Sequence, residues 1–174
     1  MKLQGKLVVV MIFLVAALAA IFAIWYRYSQ TYQAVEFWGA PTAKLIARAP
    51  EAEVLWLGPF ESDSVGETLD VDGHRVSVLA RHDASDVHVA RGILNVRNAL
   101  GVNASFDWEA SGRCSPTWQY AIRLSDGTKD VTLLLSLDCP RARRLDRPGE
   151  VSVAPIAESL RGFFEERFPD SKEK

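Results

Sequence analysis

The stretch 114-CSPTWQYAIRLSDGTKDVTLLLSLDC-139 holds two β-rich segments, Thr117–Leu124 and Asp130–Asp138, on either side of Asp126-Gly127. An Asp-Gly pair between such segments signals a two-residue hairpin turn, because a type I′ turn needs positive φ at both central positions. With those two residues as the turn, cross-strand partners carry numbers that sum to 253, as 114 and 139 do. Cys114 and Cys139 are therefore expected to face each other at a non-hydrogen-bonded position. Cα atoms approach closest at such positions, and a disulfide fits. A β-bulge in either strand would move that register by one.

The same register sorts side chains by polarity. Trp118, Tyr120 and Ile122 share a face with Val131, Leu133, Leu135 and Leu137. Ser115, Thr117, Gln119 and Arg123 share the other with Asp130, Thr132, Ser136 and Asp138, and Arg123 is expected opposite Asp130. Only Ala121 and Leu134 break the pattern of a sheet covered on one side.

Outward from this hairpin, Asp72-Gly73 signals a second one between Glu67–Val71 and His74–Leu79, preceded by a strand over Glu53–Leu57. Asp86–Leu100 has helical spacing, with Val89, Ile93, Val96 and Leu100 on one face. Ser85 or Asp86 suits its N-cap, and Gly101 its end. A short strand is expected at Val151–Val153, a closing helix from Pro155 to Pro169, and a shorter helix from Pro41 to about Ala49. These elements imply an α+β fold, a mainly antiparallel sheet built from two hairpins with helices on one face.

Before this domain lies Leu7–Tyr26, LVVVMIFLVAALAAIFAIWY, an uncharged apolar run. About twenty residues at about 1.5 Å each cover the roughly 30 Å hydrocarbon core of a bilayer. Ala17-Leu18-Ala19 offers the small-x-small pattern of a signal-peptidase site, but the apolar run continues well past it, which favours an uncleaved anchor. Lys2 and Lys6 precede the run and Arg27 is the first charge after it, so the tail is expected in the cytoplasm and the domain outside. Trp25, Tyr26 and Tyr28 suit the outer interface. The expected organisation is a cytoplasmic tail at 1–6, a transmembrane helix at 7–26, a juxtamembrane segment at 27–40, an extracytoplasmic domain at 41–170 and a tail at 171–174.

All 22 acidic residues but only 18 of the 20 Lys and Arg follow the run, a formal charge of −4 for the exported part. That balance argues against a general nucleic-acid binder. An exported location also provides the oxidising surroundings in which a disulfide persists.

Cys114-x-Pro116-x-x-x-Tyr120, the segment Leu133–Cys139, the Phe168-Pro169 helix end and Gly39-Ala40-Pro41-Thr42 together resemble a family of bacterial exported or membrane-anchored small domains. The likeness spans about Phe37 to Pro169 and implies no activity.

Chemistry-bearing groups are sparse. Arg81–His88, with His82, Asp83 and His88, has metal-ligand residue types but no ligand spacing of an established site. Asp70-x-Asp72-Gly73 lacks the downstream acids of a calcium loop. Ser62 and Ser64 form no nucleophile elbow. Arg141, Arg143, Arg144 and Arg147 cluster after the long hairpin, where the favoured reading is a solvated loop with Asp146 and Glu150 nearby and the alternative is contact with an anionic partner or lipid headgroups. The expected function is binding or assembly by a single-pass membrane-anchored domain, with the lipid bilayer and another protein or envelope component as partners and no cofactor. The alternative is a membrane-tethered hydrolase or metal-dependent enzyme built on His74, His82, Asp83 and His88.

Overall fold

The computed structural model describes residues 2–59, 66–83, 87–110 and 114–169, with the side chains at 2–5, 7 and 87–91 outside that description. The elements run α1 (Lys2–Trp38), α2 (Ala40–Arg48), β1 (Glu51–Pro59), β2 (Thr68–Val71), β3 (His74–Asp83), α3 (Val87–Leu100), β4 (Tyr120–Ser125), β5 (Asp130–Ser136), β6 (Arg141–Arg144), β7 (Val151–Ser152) and α4 (Ala157–Arg167). The strands form one antiparallel sheet in the order β2-β3-β1-β4-β5-β6-β7. The fold is α+β, as the two hairpins implied.

The β2–β3 turn has the expected chemistry. Asp72 and Gly73 have φ of +56° and +79°, and Val71 faces His74 across them. The Asp70 carboxylate accepts the Gly73 N–H at 2.8 Å.

The β4–β5 register differs from expectation. Ser125 faces Asp130 and Tyr120 faces Leu135, so partner numbers sum to 255, and the turn centres on Gly127-Thr128. The cause is the Asp126 side chain, which accepts the Thr128 N–H (3.0 Å), the Lys129 N–H (2.9 Å) and the Thr128 hydroxyl (2.7 Å). An Asx-type cap makes Asp126 the flank of the turn instead of a central residue. Arg123 consequently faces Thr132 and not Asp130. Moving the centre by one residue changes the sum by two, so every residue within the ladder keeps its face.

Beyond Tyr120 the ladder breaks. The Gln119 N–H donates to the Leu135 carbonyl at 3.2 Å, so Gln119 and Tyr120 both oppose Leu135. An extra residue of this kind flips what precedes it. Trp118 accordingly packs on the opposite face from Tyr120, a correction to the expected alternation. Cys139 lies in the turn between β5 and β6, yet Cys114 and Cys139 sit at disulfide-bonding distance with Cα atoms 5.9 Å apart. The pairing is as expected; its place outside the ladder is not.

Two cores result. On the helix side, Val54, Ile122, Leu124, Leu133 and Leu135 pack with Ile46 of α2, Val96 and Leu100 of α3 and Leu160, Phe163 and Phe164 of α4. On the other side, Leu55, Leu57, Leu69, Val71, Ala121 and Leu134 form a smaller cluster, joined by Trp118 and Leu145. Ala121 and Leu134, the two residues out of character on a polar face, are both fully buried there. The sheet curls so that Asp72, at the tip of the β2–β3 hairpin, reaches Arg143 on β6. The expected one-sided sheet is thus buried on both faces along its middle strands.

Helix α1 is a single 37-residue rod of about 55 Å. Its stretch Val8–Trp38 is long and apolar enough to cross a membrane, and an 18-residue window within it reaches a mean hydropathy of 3.0. The rod does not stop at Tyr26. Its last turns join the domain core, where Ala34 and Trp38 are each 1% exposed and the Trp38 indole donates to the Leu100 carbonyl at 2.9 Å. Asn103 clasps the same helix, donating to the Ser29 carbonyl at 2.7 Å.

Smaller differences follow the same rules. Strand β1 extends the expected Glu53–Leu57 at both ends, and a 3-10 turn, Ala154–Ile156, precedes α4. The proposed caps Ser85 and Asp86 and the serines Ser62 and Ser64 lie outside the described residues.

Candidate functional site

An open groove of about 920 Å³ lies where β1 and β4 meet α4. Trp56, Leu57 and Pro59 come from the end of β1, Trp118 and Gln119 from the irregular lead-in to β4, Leu137 and Asp138 from the β5–β6 turn, and Arg161 and Glu165 from α4. Gly58 makes room for this arrangement, since a Cβ there would stand 2.5 Å from Leu79 of β3. Leu79 is the extra residue where β3 bulges against Trp56 and Leu57, and it also lines the groove.

The floor is fixed by internal hydrogen bonds. The Gln119 side chain accepts the Leu137 N–H at 3.0 Å and donates to Asp138, while Arg161 donates to the Leu137 carbonyl at 3.0 Å. Tyr120 stacks on Phe164 with ring centroids 4.2 Å apart. The groove therefore presents rigid aromatic walls with Arg161 and Glu165 along one side. Such a surface stacks against and desolvates a ligand. None of its described lining residues is Ser, Cys or His.

The four arginines do not converge. They were expected in a loop, but Arg141, Arg143 and Arg144 form strand β6, whose alternation sends neighbours to opposite faces. Arg143 makes a two-pronged ion pair with Asp72 at 2.7 and 2.9 Å and lies over the Trp118 ring at 5.3 Å. Its guanidinium holds the Asp72 carboxyl below the ordinary range. Arg141 donates to the Ala110 carbonyl at 3.1 Å. Arg144, on the helix side, donates to the Trp38 carbonyl at 3.0 Å and pairs with Asp146. Arg147 is exposed beside Gly39. Three of the four thus hold the fold's own segments together.

His74 and His82 do not converge either. His74 begins β3 and His82 lies near its end, about 25 Å apart at the usual strand rise. His82 packs against the Phe168 ring at 5.0 Å, and the His88 side chain lies outside the described residues. Among the described residues no group of three or more His, Cys, Asp or Glu gathers in a metal-holding arrangement.

A charge ring on the sheet was missed by sequence reasoning. Glu53 pairs with Arg81 at 3.5 Å and Arg123 at 3.2 Å, and Glu67 closes the ring by pairing with both arginines. The Arg123 hydrogen bond lowers the Glu67 pKa, and Glu67 in turn raises that of Arg123. The groove was equally hidden, because its residues come from five separate segments. The Gly58-Pro59 strand end and the tryptophans at 56 and 118 were its only sequence signals.

Fold and site together define a small α+β domain carried on one long apolar helix. No protein-family model, curated protein or solved structure matches this chain.

Proposed function

We propose that this chain is a single-pass inner-membrane protein, N-terminus in the cytoplasm, whose domain works outside the cytoplasm by binding or assembly through the groove at the β1–β4–α4 junction. The observation that carries this reading is the unbroken α1 rod, which runs from the apolar span into the domain core at Trp38. A domain so joined is held at the membrane surface instead of swinging on a linker, and its rigid aromatic groove is presented there. Lys2 and Lys6 on one flank support the orientation, and the Cys114–Cys139 pair supports an oxidising compartment. The bilayer is then one partner and an envelope component the other, in agreement with the resemblance to exported domains.

The test places a photo-crosslinking residue at Leu79, in the groove, or at Lys129, in the β4–β5 loop, in intact cells. Adducts specific to position 79 are expected, together with protease access to the C-terminal domain only from outside the membrane. Identical adduct patterns at the two positions would remove the groove from the reading. Protection of the domain in spheroplasts would reverse the orientation.

A further inference from the structure

A second groove, separate from the one proposed above, runs between α3 and α4 and encloses about 460 Å³. Its walls are apolar along most of their length, with Val96 and Ala99 on α3, Ile156 in the 3-10 turn before α4 and Leu160 on α4, while Asn95 and Ser159 line its rim. At the far end stands the cation Arg167, next to Glu166. From Ile156 to Arg167 the groove follows the roughly 15 Å length of α4.

Arg167 is unusual in its surroundings. Its side chain is only 9% exposed, and among the described residues its one hydrogen bond is to the Phe163 carbonyl at 2.7 Å. Its guanidinium lies over the Phe163 ring at 3.8 Å. Its Nε is buried with no hydrogen-bond partner among the described residues. Glu166, the described carboxylate that pairs with it, stands 3.6 Å away on a side chain that is 80% exposed. Buried guanidinium groups are ordinarily matched by a carboxylate held in place. Burial without such a match lowers the Arg167 pKa. The neighbouring helix accommodates the side chain with a glycine, since a Cβ at Gly92 would stand 2.5 Å from Nη2 of Arg167.

We infer that the α3–α4 groove binds a single-chain amphiphile with a carboxylate head, the head pairing with Arg167 and the tail lying along Val96, Ala99, Ile156 and Leu160. The carboxylate replaces the loose Glu166 contact as the counter-ion of a buried cation, and the tail covers the apolar walls. An anion without a tail leaves the walls wet, and a neutral tail leaves the cation unmatched. Both parts are therefore needed.

The test uses the full chain, labelled with 15N-arginine, in zwitterionic phosphatidylcholine nanodiscs. The Arg167 Nε–H resonance is assigned by its loss in Arg167→Gln. Octanoate is expected to move that resonance saturably, at concentrations at least tenfold below those at which acetate does, whereas octanol leaves it in place. Ala99→Phe, which fills the tail path, is expected to abolish the octanoate response with an unchanged circular dichroism spectrum. An immobile resonance, an equal response to acetate, or a full response in Ala99→Phe would each overturn the inference.

Discussion

Replacing Trp38 by alanine tests whether the long apolar helix ends as part of the folded domain. Trp38 is 1% exposed and contacts Phe37 and Phe106 at ring distances of 4.7 and 6.1 Å. Removing a buried tryptophan ring ordinarily costs about 3–5 kcal/mol through lost burial and the remaining cavity. The variant also leaves the Leu100 carbonyl without its indole donor, a further loss of about 1–3 kcal/mol if water cannot reach it. Trp38→Phe retains most of the ring burial, so its loss is expected to be nearer the carbonyl share alone, about 1–3 kcal/mol. Against a usual total of about 5–15 kcal/mol, the alanine change removes a large fraction of stability. Urea unfolding of the full chain in a neutral detergent, followed by near-ultraviolet circular dichroism, measures the difference. Tyr28→Ala provides the control, because Tyr28 lies on the same helix but is 60% exposed and is expected to shift stability by no more than about 0.5 kcal/mol. Equal midpoints for Trp38→Ala and Tyr28→Ala would refute the packing of α1 into the core.

Replacing Cys114 and Cys139 together by serine frees a loop of sequence separation 25, and the chain-entropy relation gives a loss of about 3.5 kcal/mol, read from the same unfolding curves. Leu134→Asp places a charge in the smaller core, where the wild-type side chain is fully buried, and is expected to prevent stable folding, seen as loss of the near-ultraviolet signal. Glu67 has a lowered native pKa, so its stabilising contribution is present above about pH 4.5 and lost as acid carries the pH down through the native value. Unfolding curves across that range are expected to show a shallower acid decline in Glu67→Gln than in wild type. Gly92→Ala gains about 1 kcal/mol in helix propensity but forces Arg167 and the Phe163 ring aside, for a net loss of about 1–3 kcal/mol in thermal or urea unfolding.

Much of the fold was legible because it depends on short-range rules. The Asp72-Gly73 turn, the parity of β4 and β5, the helical face of α3 and the long apolar helix all follow from local pattern. The β4–β5 turn centre was not, because Asp126 can serve either as a central residue or as an Asx cap, and only the hydrogen bonds distinguish them. The role of Arg141–Arg144 was illegible for another reason. Four closely spaced arginines read as a solvated loop until Ala110, Asp72 and Trp38 arrive from distant parts of the chain to meet three of them, Arg141, Arg143 and Arg144. Ala121 and Leu134 stood out only as two apolar residues on an otherwise polar face; that they face each other in a second core follows from the shifted register and from the residues of β1 and β2 that cover them.

By itself the sequence determined the α+β class and the long apolar helix, since each is written in hydrophobic period and run length. It also paired Cys114 with Cys139, but through a hairpin register that the Asp126 cap and the bulge at Gln119 replace. Tertiary structure alone decided the curl of the sheet, the closure of its second core by Arg143 on Asp72, and the anchoring of the long apolar helix at Trp38. It also decided both grooves, whose walls are assembled from segments far apart in the chain. Such features depend on long-range packing and charge matching, which bring together groups that no local period relates.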